Sequence, residues 1–249
     1  MIVVKNKRDL EAMKTACKIS ALALRVGGEA IRPGITTFEL DKIIHDFIIS
    51  QKAVPSFLGY GGFPGSACIS LNNEVIHGIP SKKVVIKDGD VVSIDVGAFI
   101  NGFHGDNAAT FCAGEISVEA QNLLDATKQS LLEGINAATV GNRIGDIGNA
   151  IEQYVSARGY GIARQWVGHG VGKKLHEDPE VPNFGKKGRG PRLVSGMTLA
   201  IEPMINLVGD EVYTLDDDWT VVTLSGSISA HFEHTIAITD DGPVILTMP

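Results

Sequence analysis

Residues 88–106, DGDVVSIDVGAFINGFHGD, contain the pattern from which the fold and chemistry of this chain can be predicted. The apolar run 91–100 carries one carboxylate, Asp95, in its middle. Asn101-Gly102 follows, the dipeptide most typical of a two-residue β-hairpin turn, and a second strand-like run then brings Asp106. A carboxylate inside a buried strand is unfavourable unless a cation compensates it. Two carboxylates on one hairpin therefore predict a metal site.

The composition of the 249 residues is that of an ordinary globular protein, with 44% hydrophobic and 20% charged residues. The formal net charge of −7 argues against general binding of nucleic acid or of anionic membranes. The three cysteines, Cys17, Cys68 and Cys112, show no CxxC pairing, which favours a reducing compartment. The N-terminal residues lack a signal-peptide pattern, and no apolar run approaches the roughly 18 residues of a membrane span. We therefore expect a cytoplasmic protein.

Four segments have the apolar spacing of amphipathic helices. The first is predicted over 8–31, and the second starts at Thr36 or Thr37, because Glu39 follows Thr36 at capping-box spacing. The second half of the chain repeats this order, with helices predicted over 117–138 and 143–158. Strand-like runs follow each helical pair, which indicates an α/β fold.

The two halves are related by a constant offset. A shift of 107 residues places Gly34 on Gly141 and Asp95 on Glu202. Such an offset predicts one domain, residues 1–249, with pseudo-symmetric halves of roughly 1–115 and 116–249. Each half should contain two helices followed by antiparallel strands, and the second half should supply its own carboxylates.

Two further carboxylates lie in apolar runs of the second half: Glu202 within 199–204 and Glu233 near the start of 232–238. None of the four acids has a Lys or Arg beside it in its own run. If they face one cavity, their negative charge requires about two divalent cations. Oxygen-rich sites of this kind suit Mn, Co or Fe better than structural zinc.

A nitrogen ligand is expected from one of the seven histidines. His169 is the strongest candidate, because the glycines around it in residues 166–172 let the backbone approach a site closely. His176 is predicted to be a catalytic histidine near that ligand. The same glycine-rich stretch is not a phosphate-binding loop, because Val167 and Lys174 stand where Gly and Ser or Thr are needed.

Together these segments resemble the type I methionine aminopeptidases of the short bacterial form, over essentially the whole chain. The segments are Ile94-Asp95-Val96, Phe103-His104-Gly105-Asp106, Gly168-His169-Gly170-Val171-Gly172 with His176-Glu177, Ile201-Glu202-Pro203-Met204 and Phe232-Glu233-His234-Thr235. The resemblance implies the "pita-bread" α/β fold, in which two pseudo-symmetric halves surround a dinuclear metal site. It also implies a metalloaminopeptidase that removes the initiator methionine from nascent proteins and peptides, by attack of a metal-bridging hydroxide on the first peptide bond.

The resemblance assigns two divalent ions, Co, Mn, Fe or Zn, to five ligands. Asp95 would chelate one ion, Asp106 and Glu233 would bridge both, and His169 and Glu202 would complete the other.

The resemblance also assigns substrate-binding and catalytic roles. His77 and His176 would contact the substrate near the scissile bond, and Glu202 would shuttle a proton to the leaving amine. The methionine pocket would be lined by Tyr60, Phe63, Cys68, Leu175 and Trp219. Phe63 and Cys68 are equally compatible with a plain core position.

Two residues depart from the family pattern. Gly97 replaces a residue that commonly carries a hydroxyl, which predicts looser packing around the ligands. Leu175 stands where Phe is often found, which predicts a pocket of different shape.

Several alternatives stay open. X-Pro aminopeptidases and prolidases share the fold and the ligands but usually carry an additional N-terminal domain, for which residues 1–94 leave no room. A non-catalytic peptide-binding relative would have lost ligands, and a dinuclear phosphoesterase typically uses more histidines. We expect a monomer that acts on N-termini beginning with Met and contacts the ribosome at most transiently. It should bind neither specific nucleic acid nor membrane.

Overall fold

The computed structural model describes residues 1–248. Its α-helices are α1 (Lys7–Ala30), α2 (Thr37–Ser50), α3 (Val118–Ala137) and α4 (Ile144–Ser156). All four predicted helices are confirmed, with boundaries shifted by at most two residues. The predicted capping box of α2 is also present, because the Glu39 backbone N–H donates to Thr36 Oγ1 at 3.1 Å and the Thr36 N–H donates to Glu39 Oε2 at 2.9 Å.

The strands pair into four antiparallel sheets. They are β1 (Val54–Pro55), β2 (Ala67–Leu71), β3 (Glu74–Ile76), β4 (Val91–Ile100), β5 (Phe103–Cys112), β6 (Gly161–Ile162), β7 (Gly168–Gly170), β8 (Glu177–Val181), β9 (Thr198–Ile201), β10 (Met204–Asn206), β11 (Val212–Thr214), β12 (Val221–Thr223), β13 (Ser229–His231), β14 (His234–Thr239) and β15 (Gly242–Ile245). A four-stranded sheet contains β1, β2, β4 and β5, and a five-stranded sheet has the order β15-β14-β9-β7-β8. The two smaller sheets have the orders β13-β10-β6 and β11-β12-β3.

The long hairpin β4–β5 is the centre of the first half, as predicted. Ile100 pairs with Phe103, and the two turn residues between them, Asn101 and Gly102, have φ values of 55° and 82°. Asn and Gly tolerate these positive values, which a two-residue turn of this twist requires. In the resulting register Gly97 lies opposite Asp106 and Asp95 lies opposite Ala108. Because alternate residues face the same side of a sheet, Asp95 and Asp106 share one face.

The five-stranded sheet arranges the second set of polar residues. His169 on β7 pairs with Ala200 on β9, and His234 on β14 pairs with Ile201. Glu202 follows β9 directly and Glu233 precedes β14 directly, so this register places the two glutamates on neighbouring chain segments.

Each large sheet has its own pair of helices. A buried cluster that includes Leu40 and Ile44 of α2 packs against Ile94 of the first sheet. A second cluster joins α4 to the five-stranded sheet through Ile147 and Leu199. The order of two helices followed by antiparallel strands occurs twice, which confirms the α/β fold class; α2 begins at residue 37 and α4 at residue 144, the predicted offset. In the part of the chain that the structure describes, none of the helices combines the length and apolar character needed to cross a membrane.

Candidate metal centre

The residues expected to bind metal come from both large sheets and meet around one point. His169 Nε2 lies 3.5 Å from Glu202 Oε1 and 3.8 Å from Asp106 Oδ2. Asp106, His169 and Glu233 each present a ligand atom within 4.8 Å of the other two. Asp95 lines the same cavity as these four residues. The hairpin of the first half and the glutamates of the second half therefore form opposite walls of one site.

Backbone contacts between β5 and residues 231–235 hold the two walls together. The Glu233 N–H donates to the Ala108 carbonyl at 2.9 Å. The Thr235 hydroxyl accepts from the Asp106 N–H at 3.2 Å and donates to the Asp106 carbonyl at 2.7 Å. These bonds fix the backbone of Asp106 and Glu233, so the carboxylates meet even though 127 residues separate them in the sequence.

The four carboxyl groups have strongly perturbed acidity. Burial raises the pKa of Asp95 to about 7 and that of Glu202 to about 8. Burial, followed by the charges of the neighbouring acids, raises the pKa of Asp106 and of Glu233 well above the usual range. Raised pKa values favour the protonated form of these groups unless cations replace the protons. Clusters of this kind mark functional sites.

The polar atoms of the site fit divalent cations. Within residues 1–248, Asp95 Oδ1, Asp106 Oδ1 and Glu233 Oε1 are buried and have no hydrogen-bond partner. Burial of oxygen atoms in this state is unfavourable unless an ion coordinates them. The His169 Nδ1–H donates to the Gly170 carbonyl at 2.8 Å, which leaves a lone pair on Nε2 facing the acids. Burial also lowers the pKa of His169 to about 3, so its ring is neutral, as a metal ligand must be.

A cavity of about 310 Å³ opens beside the carboxylates. All the site residues expected from the sequence line it. They are Tyr60, Phe63, Cys68, His77, Asp95, Asp106, His169, Leu175, His176, Glu202, Trp219 and Glu233. The set contains both acidic and apolar side chains, so an acidic cluster that could bind cations lies next to an apolar part of the same cavity.

The two histidines expected near the scissile bond are placed by aromatic neighbours. The centroid of the His176 ring lies 4.3 Å from that of His169, and His176 Nδ1 is 2.7 Å from the Tyr60 hydroxyl oxygen. His77 has a positive φ of 60° and packs edge-on against Trp166 at 4.9 Å between ring centroids. Burial lowers the pKa of His77 to about 4 and lowers that of His176, so both rings are neutral at pH 7. Neutral imidazoles can donate and accept hydrogen bonds without adding charge to the site.

The apolar wall of the cavity is a small, closely packed cluster. Phe63, Cys68 and Leu175 pack with Phe57 and are all less than 9% exposed. The Phe63 ring packs edge-on against Trp219, with 5.1 Å between centroids. These side chains line the cavity and belong to the core at once, so the two roles considered from the sequence do not exclude each other.

Some residues of the site have no role in the sequence-based expectation. His231 is 1% exposed, and its Nε2 lies 3.4 Å from Glu202 Oε2. Its position two residues before Glu233 could have suggested a shared face, because alternate strand residues point the same way. Trp166 and Phe57 also line the cavity, and no spacing in the sequence marks them as lining residues.

The surroundings of Gly97 differ from the looser packing expected there. A Cβ atom at Gly97 would lie 2.7 Å from Ser56 Cβ and 3.0 Å from the Phe57 ring. The space is filled by Ser56, whose hydroxyl oxygen lies 2.9 Å from His104 Nδ1. The expectation of loose packing at Gly97 is therefore wrong, because Ser56, the hydroxyl-bearing residue directly after β1, packs against this position from outside the hairpin.

Replacing Gly97 with Ser is expected to destabilise the protein by about 1–3 kcal/mol, because overpacking a filled site forces neighbours to move. Denaturant unfolding of the metal-free protein measures the change. Adding Ser56→Gly to the same chain should recover part of the loss, because it removes the atoms that a Cβ at Gly97 meets first. A Gly97→Ser variant as stable as the parent would contradict this packing.

Comparison with known proteins finds similar metallopeptidases along nearly the whole chain. The model of metallopeptidase family M24 matches residues 11–240. The methionine aminopeptidase of Clostridium acetobutylicum is 53% identical over 248 residues, which is 100% of this chain and 99% of that protein. The crystal structure of the methionine aminopeptidase from Thermotoga maritima has a TM-score of 0.98 to this chain, with 43% identity and complete coverage of both.

The prolidase from Pyrococcus furiosus shares the fold at a greater distance. Its TM-score is 0.80 at 22% identity, and the similarity covers 99% of this chain but 66% of that chain. Identity at this level supports a common fold only.

Proposed function

Because the chain belongs to metallopeptidase family M24, and within it to the methionine aminopeptidases, we propose that its five converging residues bind two divalent metal ions. The chain is a metal-dependent hydrolase that removes the N-terminal methionine from proteins and peptides. The observation that carries the metal proposal is the set of buried, unpartnered carboxylate oxygens that, within the described residues, face one another beside an apolar cavity.

The ligands would divide between the two ions as their positions suggest. Asp95 would bind one ion, Asp106 and Glu233 would be shared, and His169 and Glu202 would bind the other. The short distances from His169 Nε2 to Glu202 Oε1 and Asp106 Oδ2 support the second group. When bound, two such ions lower the pKa of a coordinated water and polarise the scissile carbonyl. A ligand set of four carboxylates and one imidazole suits Mn, Co or Fe, with Zn as a further candidate.

The chain's own residues would then orient the substrate and move the proton. His176 would donate from Nε2 to the oxygen of the tetrahedral intermediate, with Nδ1 held by the Tyr60 hydroxyl. His77, fixed by Trp166, would orient the peptide near the scissile bond. A Glu202 carboxylate oxygen would carry a proton to the leaving amine. Each group lines the cavity, so each is within reach of a substrate bound there.

The apolar end of the cavity would hold the methionine side chain. An unbranched thioether is flexible and polarisable, and it makes favourable contacts with aromatic edges such as those of Phe63 and Trp219. Tyr60, Cys68 and Leu175 would complete this pocket.

Replacing Leu175 with Phe is expected to lower kcat/KM for methionyl peptides by about tenfold, through a higher KM, because the larger ring intrudes on a filled cluster. Steady-state kinetics with Met-Ala-Ser measures the effect. Leu224→Phe is the matched control, because Leu224 is 58% exposed and lies outside the cavity lining. An unchanged KM for Leu175→Phe would remove Leu175 from the pocket.

A substrate panel tests the proposed function. The purified chain, supplied with Mn²⁺ or Co²⁺, is assayed on Met-Ala-Ser, on X-Pro dipeptides and on a phosphodiester. We expect hydrolysis of Met-Ala-Ser alone. Activity on X-Pro without activity on Met-Ala-Ser would favour the prolidase-like alternative, and inactivity towards all three would favour a non-catalytic relative.

We also propose that residues 1–249 form a single catalytic domain that works as a cytoplasmic monomer on nascent chains, with ribosome contact at most transient. Both halves contribute ligands, which supports the single domain. Sedimentation velocity of the metal-loaded protein tests the monomer; a stable dimer would contradict it.

A further inference from the structure

We propose that His231 is a positioning residue of the metal centre. Its Nε2–H would donate to Glu202 Oε2 and hold that carboxylate with Oε1 turned towards the metal. The proposal rests on the proposed function, since Glu202 is one of the metal ligands assigned there.

The first observation is the orientation of the Glu202 carboxylate between two histidines. Oε1 lies 3.5 Å from His169 Nε2, and Oε2 lies 3.4 Å from His231 Nε2. The two oxygens therefore have different neighbours, of which His169 is itself an expected ligand. A metal-binding carboxylate is commonly oriented by a hydrogen bond to its other oxygen, and His231 is the group next to that oxygen.

The second observation is that His231 is buried and that its Nε2 is unused. The residue is 1% exposed, and among residues 1–248 no group makes a hydrogen bond to Nε2. A buried nitrogen without a partner is costly, so a small rotation that shortens the 3.4 Å contact with Glu202 is favoured. Glu202 is the carboxylate that lies within 4.0 Å of this atom.

The third observation is that the backbone of His231 cannot move away. Its N–H donates to Thr110 Oγ1 at 2.9 Å, and its carbonyl accepts from the same hydroxyl at 2.9 Å. The hydroxyl groups of Thr110 and Ser93 are in turn hydrogen-bonded to each other, with 2.8 Å between their oxygens. The histidine is thereby tied to β4 and β5, the hairpin that carries the two aspartates.

Direct coordination by His231 is the competing role. His231, Glu202 and Glu233 do present ligand atoms within 4.8 Å of one another. However, Glu202 and Glu233 line the cavity, whereas among the described residues His231 is not part of that lining. It lies behind Glu202, which favours support of the carboxylate over contact with the ion.

The test measures metal affinity, independently of turnover. Metal-free parent and variants are titrated with Mn²⁺ in a calorimeter. His231→Leu is expected to raise the Kd by about 10–100-fold, the usual effect of losing a supporting residue. His231→Gln keeps an N–H donor of similar reach and is expected to stay close to the parent. His45→Leu is the matched control, because His45 bonds to Ser66 and lies outside the cavity lining.

The outcomes separate the roles. An unchanged Kd for His231→Leu overturns the proposal. A His231→Gln variant as weak as His231→Leu also overturns it, in favour of direct coordination by the imidazole. If His231→Leu fails to fold, His231→Asn replaces it: the shorter amide does not reach Glu202, so an unchanged Kd again overturns the proposal. If the parent itself binds no Mn²⁺, the proposed metal centre fails, which is distinguishable from failure of the His231 role.

Discussion

Replacing Glu233 with Ala is expected to abolish the binding of both proposed metal ions and with it the aminopeptidase activity. Glu233 is 2% exposed, and its N–H is anchored to the Ala108 carbonyl, so its carboxylate points into the site from a fixed backbone. In the proposed assignment Glu233 is shared by two ions, so its loss would remove one coordination bond from each. The affinity should therefore fall by more than the roughly 10–100-fold that removal of a supporting residue causes. Calorimetric titration with Mn²⁺ and metal analysis after dialysis measure the loss.

The Glu233→Ala variant should remain folded without metal. Burial, followed by the charges of the neighbouring acids, raises the pKa of Glu233, so its removal takes away a carboxyl group whose ionised form the metal-free fold disfavours. Denaturant unfolding of the metal-free variant checks this point. Glu29→Ala, on the exposed side of α1, serves as the control and should bind metal like the parent. A Glu233→Ala variant that still titrates two ions would exclude Glu233 as the shared ligand.

The parts of the fold that follow from local chemistry could be predicted from the sequence. Asn101-Gly102 specifies a hairpin because both residues tolerate positive φ, and the paired Thr36 and Glu39 specify a helix start because each satisfies the other's free N–H. The convergence of the carboxylates could also be predicted, because buried acids without basic neighbours require a cation wherever they lie.

The parts that depend on contacts between distant strands could not be predicted. His231 meets Glu202 only because β13 pairs with β10 and is tied to β5 through Thr110. No periodic pattern in the sequence predicts that these two sets of contacts occur together. Ser56 likewise fills the space at Gly97 because the two-residue strand β1 pairs with the end of β4. A strand of two residues is too short to show alternation, so its packing is decided by the tertiary structure.

The raised pKa values of the acids also depend on contacts between distant strands. Burial is the largest cause of the raised pKa values of Asp106 and Glu233, and the charges of the neighbouring acids raise them further. The sequence shows which residues are acidic. The hydrogen bonds between β5 and residues 231–235 bring them close enough to influence one another's pKa. Ligand identity is thus a local property, and the affinity of the site for cations is a property of the assembled sheets.

Replacing His176 with Ala is expected to lower kcat by about 10²–10³-fold while leaving metal affinity near that of the parent. An imidazole that donates to the oxyanion acts mainly in the transition state, and loss of one such donor typically has this effect on kcat. Metal binding should persist, because His169 is oriented by the Gly170 carbonyl and not by His176. Steady-state kinetics on Met-Ala-Ser and Mn²⁺ titration of the same preparation measure both quantities.

Two further variants separate the role of His176 from general disturbance of the cavity. Tyr60→Phe removes the hydroxyl next to His176 Nδ1 and should lower kcat less than His176→Ala, because the imidazole remains. His104→Ala, a histidine that bonds to Ser56 outside the cavity lining, should have little effect on kcat. If His176→Ala instead raises KM with kcat unchanged, the residue binds ground state and transition state equally. His176 would then be a substrate-binding residue alone.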